Sequence, residues 1–278
     1  MKNKLGCNTL YPHGRLTDSK AQFTLEAQKL ALKIIRDAGF DGCEFSHYEW
    51  LDLKQCEALR AECGRLGLTP WSAHSWVALP DNPATVAERS AQLAQNLEGA
   101  SALGASVMVV HPPSYPKDVT AVAQRTAWNQ AIESALRGLA PALAAVKISM
   151  AIENCGPRAE LEAVADLLAR LNLPGIGFNI DTGHAQIRGM QPAEAIRLMG
   201  KRLLTTHLQD NFGKNDDHLP PGCGTIDWPA TIGALREVNY QGTLMVEISD
   251  CPGGREPDAV ADTRKAFENL SRFTGRRQ

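Results

Sequence analysis

Short apolar runs and longer helical stretches alternate eight times along the chain. Runs rich in apolar and β-branched residues fall at 4–9, 42–46, 69–74, 106–111, 147–153, 177–181, 203–207 and 243–247, and they read as strands. Between them, helical patterns run over 24–38, 53–66, 83–103, 121–139, 158–171, 192–200, 228–238 and 257–273. In the first of these Leu25, Leu30, Ile34 and Ile35 recur at helical spacing, and Gly39 is placed to close it with a left-handed cap. In the third, Glu88, Gln92 and Gln95 mark the face opposite the Ala and Leu positions. The fourth strand is almost wholly apolar and ends at Pro112-Pro113, a pattern that suits a strand covered on both faces. Leu173-Pro174-Gly175 stops the fifth helix, Pro192 opens the sixth as a first-turn proline, and Asp227 is placed as the N-cap of the seventh.

Eight strand–helix pairs in 278 residues predict an α/β fold of the (β/α)8 TIM barrel type, one domain spanning 1–278. A doubly wound open sheet is the competing architecture. It would carry a glycine-rich phosphate turn after the first strand, where this chain has Tyr11-Pro12-His13-Gly14. Neither a linker nor a low-complexity segment interrupts the rhythm, and 274–278 reads as a frayed tail.

Composition narrows the function classes. The chain is 44% hydrophobic and 22% charged with a net charge of −2, an ordinary soluble balance. No apolar run approaches the roughly 18–20 residues that span a bilayer. The first residues, Met1-Lys2-Asn3-Lys4-Leu5-Gly6-Cys7-Asn8, lack a signal-peptide core, so a cytoplasmic protein without membrane partners is expected. The pI near 6.4 shows no basic excess of the kind duplex binding needs, and no nucleic-acid partner is expected. Seven cysteines, an odd number without a C-x-x-C pair, argue against a disulfide framework or a structural zinc knuckle. Cys155 and Cys223 neighbour candidate site residues, either as buried fillers or as reactive thiols.

The candidate chemistry lies where strands end. In such barrels the functional groups sit at the C-terminal strand ends. Four strands close on an acid or an imidazole: Glu153, Asp181, His207 and Glu247. Glu44, His74 and His111 end the second, third and fourth strands, and His184 and His218 follow just beyond on the same rim. A single histidine at a strand end is ordinarily a hydrogen-bonded rim residue. Three carboxylates aimed into one mouth are different, because they repel and raise one another's pKa unless a cation intervenes. One divalent ion held by Glu153, Asp181, His207 and Glu247 is therefore expected. The carboxylate-rich, thiolate-free set favours Mn²⁺, with Co²⁺, Mg²⁺ and Zn²⁺ also compatible. Tyr11, Trp71 and Trp76 are aromatic candidates for stacking or packing, and Arg188 for a phosphate contact or for solvent.

Ala151-Ile152-Glu153-Asn154, Asn179-Ile180-Asp181-Thr182-Gly183-His184, His207-Leu208-Gln209-Asp210-Asn211, His218-Leu219-Pro220-Pro221-Gly222-Cys223-Gly224-Thr225-Ile226-Asp227-Trp228 and Val246-Glu247 together resemble the sugar phosphate isomerase/epimerase group of the xylose-isomerase-like barrel superfamily. The resemblance covers nearly the whole chain. By analogy with ketose 3-epimerases, it implies one Mn²⁺ or similar ion on Glu153, Asp181, His207 and Glu247, with Glu153 and Glu247 exchanging protons with the sugar. The implied substrate is a ketose, inosose or related keto-sugar, reacting through a metal-stabilised enediolate. Loss of a β-substituent from the same start would make a dehydratase or lyase. His184 resembles the epimerases' substrate-contacting histidine, and His74, His111, His218 and Glu44 become candidate substrate contacts around it. One departure stands out: where those epimerases carry an arginine after the ligand histidine, this chain has Gly213 followed by Lys214. Lys214 either substitutes as a point charge or marks a loop of another subfamily. A homo-oligomer is compatible with the resemblance.

The superfamily also implies a rival. Apurinic-site endonucleases use three zinc ions, and their ligand pattern matches His74, His111 and Glu153 for one ion, the four central residues for a second, and His184, Asp216 and His218 for a third. Against it, the loop Ser75-Trp76-Val77-Ala78-Leu79-Pro80-Asp81-Asn82-Pro83 has no cation, and the loop after His111 has one, Lys117.

Overall fold

Strands β1 (Leu5–Asn8), β2 (Gly42–Ser46), β3 (Thr69–Ser75), β4 (Val107–Val110), β5 (Ser149–Glu153), β6 (Ile176–Asp181), β7 (Leu203–His207) and β8 (Leu244–Val246) form one sheet in the order β7-β6-β5-β4-β3-β2-β1-β8. The computed structural model describes residues 3–10, 23–116, 118, 121–249 and 258–276. All seven ladders are parallel. The remaining seam is bridged at Leu208 and Val246, where the Leu208 N–H donates to the Met245 carbonyl at 2.8 Å. The sheet is thus a nearly closed barrel, the predicted fold class.

The helices are α1 (Leu25–Ala38), α2 (Leu53–Leu66), α3 (Val86–Leu103), α4 (Val122–Val146), α5 (Arg158–Leu171), α6 (Thr182–Ile187), α7 (Pro192–Met199), α8 (Trp228–Glu237) and α9 (Ala259–Thr274). Their ends follow side-chain chemistry. Thr24 caps α1 by accepting from the Ala27 N–H, and Gly39 closes it at φ 105°. Asp52 and Gln55 form a reciprocal capping box on α2, and Asp227 caps α8 by accepting from the Ala230 N–H, the one N-cap that the sequence analysis names.

Three elements differ from expectation. Helix α4 runs on through Pro141 to Val146, although proline removes a helical hydrogen bond. Its stripe of Leu136, Leu139 and Leu143 stays buried across that point, so packing outweighs the local penalty. Lys147 then turns left-handed at φ 59° and delays β5 to Ser149. Helix α6 was not expected at all; it follows β6 directly, with Asp181 as its cap. At the C-terminus, α9 includes Thr274 and closes at Gly275, so the expected fraying does not begin at 274.

Alternate strand residues face opposite ways. Phe45, Met108, Val110, Ile152, Phe178 and Ile180 point outward into the layer shared with the helices, each burial contributing roughly 1.5–3 kcal/mol. Inside, Val107, Val109 and Ala151 pack with Trp71 and Leu204. Trp71 also donates to Thr205 Oγ1 across the barrel at 3.1 Å. Toward the C-terminal ends the inward side chains turn polar. Among the described residues no helix is long and apolar enough to cross a membrane. Tyr11, the turn at 11–14, Lys117 and Cys251 lie outside the described residues.

Candidate metal centre and active site

Glu153, Asp181 and His207 are the last residues of β5, β6 and β7, and Glu247 follows β8 directly. A ligand atom from each lies within 4.8 Å of the others, and all four side chains are buried. His207 is the hub. Its Nδ1 lies 2.8 Å from Glu153 Oε2 and 3.2 Å from Glu247 Oε2, and its Nε2 lies 2.9 Å from Glu44 Oε1. Neither ring nitrogen completes a hydrogen bond with these oxygens, so three carboxylates crowd one imidazole without aligned partners.

The other predicted residues gather around this hub. His74 Nδ1 is 3.3 Å from Glu247 Oε1, and its Nε2 is 3.0 Å from His111 Nε2. His111 in turn stands 3.8 Å from Glu153 Oε1. His184 Nδ1 is 3.0 Å from Glu153 Oε1, and its Nε2 is 3.1 Å from Asp216 Oδ2, which His218 Nε2 meets at 3.0 Å. His184 is carried by the first turn of α6 rather than by a loop. Glu44 lies fully buried, accepting from Ser72 Oγ at 2.6 Å. Lys214 is exposed on the loop between β7 and α8, and among the described residues no ion pair joins it to the cluster. Trp76 stacks on His47 with ring centroids 4.4 Å apart, as a packing group. Arg188 is exposed and donates from Nε to the Cys155 carbonyl.

That loop is shaped by one carboxylate. Asp210 accepts from the N–H groups of Gly222 and Ile226 and from Trp228 Nε1, while its backbone pairs with Leu219. This fold-back brings Asp216 and His218 over the mouth. Two further residues escaped the sequence reading. Asn179 Nδ2 donates to Glu153 Oε2 at 2.8 Å, and Gln209 Nε2 donates to Asp216 Oδ1 at 2.6 Å beside Asp181. Gln209 also explains Gly183: a Cβ there would meet the Gln209 amide at 2.1 Å.

The electrostatics correct one expectation. Repulsion was expected to raise all three carboxyls, but only Asp181 rises. Burial lifts it to about 7, with Glu153, Asp216 and Glu247 adding to the shift against the pull of His184. Burial also pushes Glu153 and Glu247 up, yet His207 facing both, with His184 on Glu153 and His74 on Glu247, holds them well below the usual carboxylate range. His207 is correspondingly raised; burial opposes its charge, but Glu247, Glu44 and Glu153 outweigh it. Burial lowers His111 to about 4 against the pull of Glu153. Burial also raises Cys155 to about 12, which makes it a protonated filler rather than a reactive thiolate at neutral pH.

The residues fit a divalent cation. Three buried acids and one imidazole with no aligned hydrogen bond are an oxygen-rich, borderline donor set. A cation would replace the proton that Asp181 otherwise retains. Four further groups among the described residues have metal-ligand spacing, among them His74–His111–Glu153 and His184–Asp216–His218.

Residues 32–271 match the family described as xylose isomerase-like TIM barrel. Among curated proteins, 87 residues are 36% identical to an uncharacterized protein of Sinorhizobium fredii, covering 31% of this chain and 28% of that one. A D-psicose 3-epimerase of Enterocloster bolteae is 32% identical over 110 residues, 40% of this chain and 35% of that one. The match thus spans well under two thirds of either relative. A crystal structure of D-psicose 3-epimerase in the presence of D-fructose superposes with a TM-score of 0.77 at 19% identity, covering 98% of this chain and 99% of that one. A 3-keto-D-glucoside 4-epimerase from E. coli superposes with a TM-score of 0.73 at 19% identity, covering 98% and 100%. At such identities the likeness is one of fold. The family match extends over most of the barrel, and on it the chain belongs to the xylose isomerase-like TIM barrel family.

Proposed function

We propose that this protein is a metal-dependent isomerase or epimerase of a ketose, inosose or related keto-sugar, in which Glu153 and Glu247 exchange the proton. One observation carries the reading: two buried glutamates from different strands reach one histidine nitrogen, at 2.8 and 3.2 Å. The names of the epimerases that share the fold support the substrate class.

A divalent ion bound by Glu153, Asp181, His207 and Glu247, with Mn²⁺ the best match to the donors, would polarise the substrate carbonyl and acidify the neighbouring C–H. Glu153, ionised and aimed by Asn179, accepts that proton. Glu247, itself ionised, delivers a proton that it first takes from His74, whose charged form it favours and whose Nδ1 lies 3.3 Å away. Delivery to the opposite face of the same carbon yields an epimer, and delivery to the adjacent carbon yields an aldose–ketose isomer. If a β-substituent departs first, the same residues give an eliminated product. His74, His111, His184 and His218 supply hydrogen-bond partners for the sugar hydroxyls, and the neutral His111 can both donate and accept. Glu44 braces His207 from behind rather than meeting the sugar. Lys214 serves at most as a distant point charge.

The test is α-proton exchange in D₂O across ketoses, inososes and 3-keto-glycosides, with protein stripped by chelator and then reloaded with Mn²⁺. Exchange that needs the ion and ends in an isomer or epimer is expected. Exchange that ends in an unsaturated product would move the assignment to a lyase, and no exchange on any member would overturn it.

A second reading rests on two of the additional ligand groups, His74–His111–Glu153 and His184–Asp216–His218. Filled with zinc, they would make a trinuclear phosphodiesterase. Three zinc ions per chain by elemental analysis, with cleavage of abasic DNA, would favour it over the sugar reading.

A further inference from the structure

Beside the cluster a cleft of about 540 Å³ opens between the loop after β4 and the start of α5. Pro112 and Tyr115 form one wall, Pro157 and Ala159 the other, and Arg188 stands at the edge. Cys155 also lines it, and its Sγ is 3.9 Å from Glu153 Oε1. The cleft therefore begins one side chain away from the group proposed to take the proton.

The cleft is held in shape from beneath. Glu160, 2% exposed, accepts from the Gly156 N–H at 2.7 Å. The amides of Tyr115 and Cys155 face the same carboxylate, so one buried acid ties both walls. The Tyr115 ring is fixed edge-on against Trp128, with centroids 5.3 Å apart at 84°. Such a fixed, largely apolar surface with one cation at its edge suits the face of a ring.

Size points the same way. A volume of about 540 Å³ lies within the roughly 300–1,000 Å³ of small-ligand sites, so the cleft has room for a ring of its own. The reacting carbons belong at the carboxylate cluster, so this space lies beyond them. We propose that the cleft is a subsite for a second ring, and that the substrate is a keto-glycoside: a keto-sugar joined through its glycosidic oxygen to a further ring. The inference rests on the keto-sugar reading above and narrows it.

The test compares phenyl and methyl 3-keto-β-glucosides as substrates for α-proton exchange by the Mn²⁺-loaded protein. The phenyl compound is expected to show a kcat/KM at least about tenfold higher. Ala159→Trp fills the cleft from an exposed helix position, Tyr115→Ala removes its platform, and each is expected to bring the ratio close to one. A wild-type ratio near one, or a ratio that survives both substitutions, overturns the subsite. A second measurement needs no turnover. Unreactive phenyl β-glucoside should receive saturation transfer from the wild-type protein in NMR, and lose it with Ala159→Trp. If that signal behaves as expected while no keto-sugar exchanges, the subsite stands and the keto-sugar reading fails. If exchange occurs without glycoside preference or saturation transfer, the reading stands and the subsite fails; absence of every signal overturns both.

Discussion

Two glutamates share His207, but their settings differ, and the difference lies in residues of ordinary polarity. Asn179 holds Glu153 through a 2.8 Å hydrogen bond. Orienting partners of metal ligands commonly account for about 10–100-fold in affinity. Asn179→Ala is expected to weaken Mn²⁺ binding by about that factor in chelator competition, and unchanged affinity would refute the role. The acids and histidines were legible in the sequence because each closes a strand-like run or, as with His184 and His218, follows just beyond one. Asn179 and Gln209 were legible in principle, since each lies two residues from a ligand, Asp181 or His207, and so on the same strand face. Neutral amides carry no charge to flag them. Glu160 is a further case, visible only as one more helix residue. Burial lifts its carboxyl from 4.5 to about 7, against the amides that face it. Between those values the folded chain holds a proton that the unfolded chain has lost, so stability falls as pH rises through this window. The full effect is about 3 kcal/mol. Denaturant unfolding of ion-free protein between pH 5 and pH 8 should show that decline added to the one from Asp181, and Glu160→Gln, with no proton to lose, should make the slope shallower. Equal slopes in both proteins would contradict the assignment.

At the scale of elements, the strands were read most faithfully, and β2 and β7 have the predicted limits. Apolar runs leave little choice when both faces are covered. Helix α6 was missed for a physical reason: it is six residues long, too short to show a period, and its capping acid is Asp181, already assigned to the metal. The same carboxylate accepts from the His184 N–H at 2.6 Å. Strand end, helix start and cluster are therefore one construction, and the cap positions His184 over Glu153. Helix α4 differs the other way: its sequence pattern reads only to 139, two residues short of Pro141, while the buried leucines on both sides of that proline continue the helix. Pro141 is exposed, so its replacement loses little packing. Pro141→Ala is expected to stabilise the fold by roughly 2 kcal/mol, the interior-proline penalty less the entropy that proline removes from the unfolded chain. Unfolding in urea reads this, and a less stable variant would mean that the barrel needs the proline's geometry.

Over the whole molecule, the cluster draws its side chains from the half of the barrel that contains the seam. β7 and β8 meet there at the bridge between Leu208 and Val246, and His207 and Glu247 flank it. An ion on Glu153, Asp181, His207 and Glu247 would tie this seam together and stabilise only the folded state. At a concentration 100 times its Kd the gain is about 2.7 kcal/mol, or roughly 5–10 °C in Tm for a chain of this size. Calorimetry with Mn²⁺ and with chelator should show that shift in wild type but not in Asp181→Ala; an identical shift in both would place the ion elsewhere. The barrel was legible as a whole because its rhythm repeats eight times. Closure of the mouth was not, since the fold-back through Asp210 depends on contacts between distant residues. The proton transfer assigned to Glu153 and Glu247 is tested most directly by deuterium incorporation at the substrate α-carbon in D₂O, comparing Mn²⁺-loaded wild type with Glu153→Gln and Glu247→Gln. The account predicts incorporation by the wild type and a loss of at least about 100-fold in each variant, with circular dichroism unchanged. A folded variant that exchanges at close to the wild-type rate would contradict it.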